Sequence, residues 1–90
     1  MTKKDLLIKN MECCISNKLY SAILIENENM PKPEVIINDW ENLDQKIEYI
    51  DKAYTDDLVL KSCDDIKIKD FCHASSYEEV EVKLLLNWGV

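Results

Sequence analysis

The sequence predicts an α+β domain of two layers, with elements in the order α-β-β-α-β-α and a three-stranded, mainly antiparallel sheet that carries its helices on one face. Three observations support this reading. The chain has 90 residues, 47% of them hydrophobic, which is enough for one core in a single domain spanning residues 1–90. Three segments repeat apolar residues at intervals of three and four, and three others are apolar runs or alternations of strand length. Gly 1 and Pro 2 leave no linker or low-complexity stretch, and no segment repeats.

Thr2 and Asp5 form a capping-box pair ahead of Leu6, Leu7, Met11, Cys14 and Ile15, so the first helix is expected over residues 3–17. Asn17-Lys18 breaks the pattern. Residues 19–25 are β-branched, aliphatic or aromatic for the most part and read as the first strand, closed by the polar run Glu26-Asn27-Glu28-Asn29. Pro31 and Pro33 impose a loop before the second strand, Glu34–Asn38. Asn38 or Asp39 can cap the second helix, along which Trp40, Leu43, Ile47, Ile50 and Tyr54 repeat at helical spacing. Leu58-Val59-Leu60 is apolar without a clear state. After a turn at Cys63-Asp64-Asp65, Ile66, Ile68 and Asp70 alternate with Lys67, Lys69 and Phe71, as a strand with one wet face would, and the lysines suit a sheet edge. Ser75 and Ser76 stand at capping-box spacing from Glu78 and Glu79, which favours a last helix over 77–88, although Glu79–Leu84 also alternates like a strand. In the simplest arrangement the first strand is central.

Charge separates the classes of partner. The net charge is −7 and every basic residue is Lys, so the bidentate Arg contacts and the basic face of a nucleic-acid binder are missing. Residues 26–57 hold ten acids and three lysines, while the rest of the chain holds eight of each, so the entire net charge lies in the hairpin loop and second helix. There Glu41, Asp44, Glu48 and Asp51 recur after three, four and three residues, a stripe about 110° around the helix from the apolar one and about 15 Å long. Such a row has the spacing of a phosphate backbone and suits a groove that binds nucleic acid, although a solvated helix face has the same pattern. Glu26, Glu28, Asp56 and Asp57 extend it as candidate partner-binding residues.

The last helix carries a second feature. Tyr77, Val80, Leu84 and Trp88 make one apolar face, and Val82, Leu85 and Leu86 occupy much of the opposite side. Either the helix is buried on both sides within the chain, or those three residues form a contact with a second copy or another protein.

Signals for catalysis or cofactors are poor. His73 follows Cys72, but neighbours on a strand point to opposite faces, and the sole glycine, Gly89, cannot build a phosphate loop. Adjacent Cys13-Cys14 cannot both ligate one tetrahedral ion from a helix, and no paired-cysteine zinc spacing occurs. No catalytic residue, metal site or cofactor is expected. The N-terminus lacks a signal-peptide pattern, and no stretch is long and apolar enough to span a membrane, so a cytoplasmic protein with reduced cysteines is expected.

The abundance of Lys, Ile and Asn with no Arg suggests an AT-rich genome. The segments Pro33–Asn38, Leu43–Tyr49 and Ala53–Leu58 together are similar to a recurring pattern among small proteins of phages and mobile elements in low-GC Gram-positive bacteria. The chain resembles, in type, the acidic α+β inhibitors found there, anti-CRISPR proteins among them. That resemblance covers about a third of the chain and carries no catalytic residue. It implies inhibition by binding a basic, nucleic-acid-handling host protein such as a nuclease or CRISPR effector, within the host cytoplasm. A homodimeric regulatory or structural subunit, with acids serving solubility alone, is the other class the residues allow.

Replacing all four cysteines with Ser or Ala is expected to cost packing only, up to a few kcal/mol. Intact-mass and metal analysis of protein purified under reducing conditions should show four thiols and no zinc; bound zinc or a disulfide mass deficit would contradict this.

Overall fold

In the computed structural model, which describes residues 1–89, the elements are α1 (Lys3–Asn17), β1 (Tyr20–Asn27), β2 (Glu34–Asn38), α2 (Leu43–Ala53), β3 (Ile66–Ala74) and α3 (Tyr77–Lys83). A 3-10 turn (Trp40–Asn42) precedes α2, and a π turn (Leu84–Trp88) follows α3. The class is α+β, with the expected order and an antiparallel sheet ordered β2-β1-β3.

Local chemistry fixes the boundaries. The Thr2 hydroxyl accepts from the Asp5 amide and the Asp5 carboxylate accepts from the Thr2 amide, so two of the orphan donors at the start of α1 are satisfied. Lys18 ends the helix in the left-handed region (φ 55°), with its amide turned back to the last carbonyls. The Asp39 carboxylate accepts from the Glu41 amide and the Asn42 side-chain amide. Those bonds hold Trp40–Asn42 in a tight turn, so α2 proper begins at Leu43 rather than at the expected cap. The Ser76 hydroxyl accepts from the Glu79 amide, and the Glu79 carboxylate accepts from both the amide and hydroxyl of Ser75, which settles residues 77–83 as helix rather than strand.

Two findings differ from the sequence expectation. First, the helices do not share one face. Ile23, Ile25, Ile68 and Phe71 pack with Leu7, Met11, Leu43 and Ile50, whereas Ala22, Ala74 and Val80 form a second cluster with Tyr20, Ile37, Leu84 and Trp88. Because successive strand residues point to opposite sides, α1 and α2 cover one face of β1 and α3 covers the other. Ser21 through Leu24 are consequently all buried. Second, β3 does not alternate to its end. Leu24 pairs with Asp70 and Ile25 with Ile68, leaving Lys69 as an extra residue in a bulge. The bulge turns Asp70 to the α3 side, where its carboxylate accepts from the Trp88 indole at 2.9 Å, and lets Phe71 join Ile68 in the larger core.

The Leu58–Leu60 stretch has a definite role. Leu60 bridges to Tyr54 and Val59 to Lys67, and the Ile68 amide donates to the Leu58 carbonyl, so the stretch covers the start of the β3 edge. Leu58 takes φ 64° to make the turn, at a cost of about 1 kcal/mol for a residue with a Cβ, offset by a side chain only 3% exposed.

Met11, fully buried in the larger core, and Leu86, 78% exposed, give a direct check of this arrangement. Met11→Ala should lower stability by about 2–5 kcal/mol and Leu86→Glu by less than about 0.5 kcal/mol, read from urea unfolding followed by circular dichroism. Comparable losses in the two variants would contradict the placement of α3.

Candidate functional site

The acidic stripe divides in two. Asp44, Glu48 and Asp51 lie on α2, while Glu41 sits in the 3-10 turn, where the tighter winding takes it out of line with the helical residues. All four are exposed. Lys52 Nζ contacts Glu48 at 2.7 Å, as the four-residue spacing implies. Asp51 is also paired, with Lys4 at 3.7 Å, and the same ammonium lies 3.8 Å from Asp56. Lys4 reaches this position because its Nζ donates to the carbonyls of Asp51 and Tyr54 at the end of α2, where the helix dipole favours a cation. The stripe is therefore partly neutralised at its C-terminal end, whereas Glu41 and Asp44 have no ion-pair partner among the described residues.

The other candidate acids are not all part of that surface. Glu26, at the end of β1, is held by Lys69 at 3.1 Å and Lys67 at 3.6 Å. The Lys69 hydrogen bond and charge, reinforced by Lys67, push its carboxyl below the ordinary range. Glu26 and Asp57 line one groove of about 420 Å³ with Lys3, Lys67 and Lys69, so that region is of mixed sign. Glu28 is exposed in the hairpin loop, its amide donating to the Asp65 carbonyl. One acid that the segment count passed over belongs with the stripe: Glu12 of α1 lines a shallow cleft of about 290 Å³ with Asp44 and Ile47. Its helical position on α1 facing α2 was the signal, but only the packing of the two helices makes it visible.

The apolar surface of the last helix is outward. Val82, Leu85 and Leu86 are 54%, 65% and 78% exposed, while Val80 is fully buried against the sheet. Lys83 Nζ donates to the His73 carbonyl at 2.7 Å and Trp88 binds Asp70, which fixes the rotation of the helix. Of the two readings of these residues, burial within the chain is excluded by their exposure.

The cysteines and histidine do not converge. Cys72 packs in the α3-side cluster, and His73 turns to the α1 side, its Nδ1 within 3.1 Å of the Asn10 side-chain amide. Cys14 is buried, and desolvation with Cys13 and Cys72 nearby pushes its thiol up to about 11; burial likewise raises Cys72. Both are therefore protonated at neutral pH and poor as nucleophiles or ligands. No group of three or more His, Cys, Asp or Glu side chains among the described residues is arranged to hold a metal ion.

The fold and these surfaces define a small α+β domain whose distinctive chemistry lies in exposed acidic and apolar patches. Comparison with protein families, curated proteins and solved structures found no match. No helix among the described residues is long and apolar enough to cross a membrane.

Asp5, Glu26 and Glu79 all have carboxyl pKa values lowered in the fold, Asp5 by the Thr2 amide and hydroxyl, Glu26 by Lys69, Glu79 by the Ser75 hydroxyl and amide. A depressed folded pKa means the stabilisation is present at neutral pH and is lost as pH falls through the folded value. The melting temperature should therefore drop as pH goes below about 4, and Glu26→Gln should flatten that dependence in low salt. A variant with the wild-type acid slope would show that the Glu26 cluster contributes nothing.

Proposed function

We propose that the chain is a non-catalytic binding protein whose α2 acidic face occupies a basic, nucleic-acid-binding groove of another protein and blocks it. The observation that carries this reading is the row Asp44, Glu48 and Asp51 on α2, with Glu41 in the turn before it and Glu12 beside Asp44, the first four all exposed and Glu41 and Asp44 bare of cations among the described residues. A row of carboxylates on a rigid helix offers a basic groove what phosphates offer, and releases the same condensed counterions. The Lys52–Glu48 pair is exposed on both sides and weak, so a partner's lysine or arginine can displace it, whereas Lys4 stays anchored on the α2 carbonyls beside Asp51. The resemblance to small phage inhibitors of the anti-CRISPR type points to the same class of target: a nuclease or effector in the host cytoplasm, bound without cofactor and without contact to nucleic acid itself. The exposed Val82, Leu85 and Leu86 favour a second reading, a homodimeric regulatory or structural subunit joined through the last helix.

The test is capture from a host lysate at low and moderate salt, with duplex nucleic acid as competitor. The inhibitor reading expects a nucleic-acid-handling protein that duplex displaces and rising salt releases. Changing Glu41, Asp44, Glu48 and Asp51 to Lys should leave the fold intact and reduce binding at least ~100-fold, since each pair turns from attraction to repulsion. Reversing Glu41 and Asp44 alone should weaken it more than reversing Glu48 and Asp51. Full binding by a folded quadruple variant would overturn the reading.

A further inference from the structure

The two edges of the sheet are treated differently. Along β3, residues 58–60 cover the first half of the edge, Lys69 bulges, and Lys67 and Lys69 add charge. These are the devices that keep an edge strand from pairing with another chain. On β2 there is no covering segment, no bulge and no lysine, and Glu34 at its first position is its one charged side chain. Glu34-Val35-Ile36-Ile37-Asn38 pairs in unbroken register with β1 on one side, and no main-chain group on its outer side has a partner among the described residues. It contains no lysine and no proline, and its three central residues are β-branched and half-buried. An open edge about 17 Å long, unbroken in register and apolar at its centre, is a pairing surface.

We infer that β2 pairs antiparallel with β2 of a second copy, joining two three-stranded sheets into one of six strands. The chain's own sequence fits this partner. A twofold axis at Ile36 sets Ile36 opposite Ile36, Val35 opposite Ile37 and Glu34 opposite Asn38, so no like charges face each other. The antiparallel arrangement also brings Lys32, two residues before β2 of one copy, to the end where Asp39 and the 3-10 turn with Glu41 leave β2 of the other, so opposite charges meet at both ends of the joined strands. On the α2 side, Ile36 lies beside Tyr49 at the mouth of an apolar cleft shared with Ile50 and Tyr54. Tyr49 is 53% exposed, and two copies of Ile36 and Tyr49 would form a continuous seam over the joined strands. The pairing does not rest on the acidic-face reading, although Glu41 of that face lies at its rim, and it uses a different surface from Val82, Leu85 and Leu86.

Sedimentation equilibrium at about 0.15 M salt, where net repulsion between acidic copies is screened, combined with amide hydrogen exchange at several concentrations, tests the pairing. The wild type should form a concentration-dependent dimer in which amides of residues 34–38 gain protection. Lys32→Glu should weaken dimerisation about tenfold without altering the monomer's spectrum, and adding Glu41→Lys should restore it by exchanging the charges. A protein monomeric at every concentration, a dimer that protects residues 82–88 and leaves 34–38 unchanged, or a double variant no better than Lys32→Glu would each overturn the inference.

Discussion

Burial of β1 on both faces is the constraint on which the rest of the molecule depends. Ala22 and Ile23 are neighbours in sequence yet belong to different cores, because a strand sends alternate side chains to opposite sides. The large residues Ile23 and Ile25 demand two helices over them, and α1 and α2 supply these. The small residue Ala22, facing Ala74 through Val80, admits one helix at close approach. Remove the strand and neither layer has a floor.

The acidic surface follows from that packing. With its Leu43 and Ile50 face committed to β1, α2 must present Asp44, Glu48 and Asp51 to solvent. Lys4 then does two tasks from α1: it closes the end of α2 through two carbonyls and draws charge from Asp51 and Asp56. Lys4 at Asp51 and Lys52 at Glu48 thus divide the acidic face into a paired end and a bare one, and the bare end, at Asp44 and the neighbouring Glu41, has the stronger field toward a basic groove.

Most of the fold was legible because it is written in local chemistry. The Thr2–Asp5 and Ser76–Glu79 caps, the two prolines before β2 and the periodicity of α2 each act within a few residues, and the structure keeps them all. What escaped depends on contacts far apart in sequence. The Lys69 bulge exists because β3 must satisfy Leu24 and Ile25 together, and neither strand alone announces it. The second layer had a trace in the unbroken apolar run Ala22-Ile23-Leu24-Ile25, the pattern of a strand covered on both sides, but a run that short serves equally for a half-covered one. Of the candidate site, the exposure of Asp44, Glu48 and Asp51 could be read from helical spacing, whereas spacing alone leaves Val82, Leu85 and Leu86 open between burial within the chain and exposure. The neutralisation of Asp51 and Glu26 could not, since Lys4 and Lys69 are distant in the chain.

The unequal size of the two cores has a consequence for how the molecule opens. Three side chains, Ala22, Ala74 and Val80, form the buried centre of the α3 layer, whereas nine form that of the α1/α2 layer. Around them Tyr20, Ile37, Leu84 and Trp88 pack half-buried, and Lys83 on the His73 carbonyl and Trp88 on Asp70 moor the helix at the surface. Loss of α3 would bare Ala22, Leu24, Ala74 and Ile37 but leave the nine-residue core in place, so this layer is the cheaper of the two to lose. The back of the sheet, including Leu24 and Ile37, is thus roofed by the α3 segment alone, and every contact that covers it comes from the last fifteen described residues.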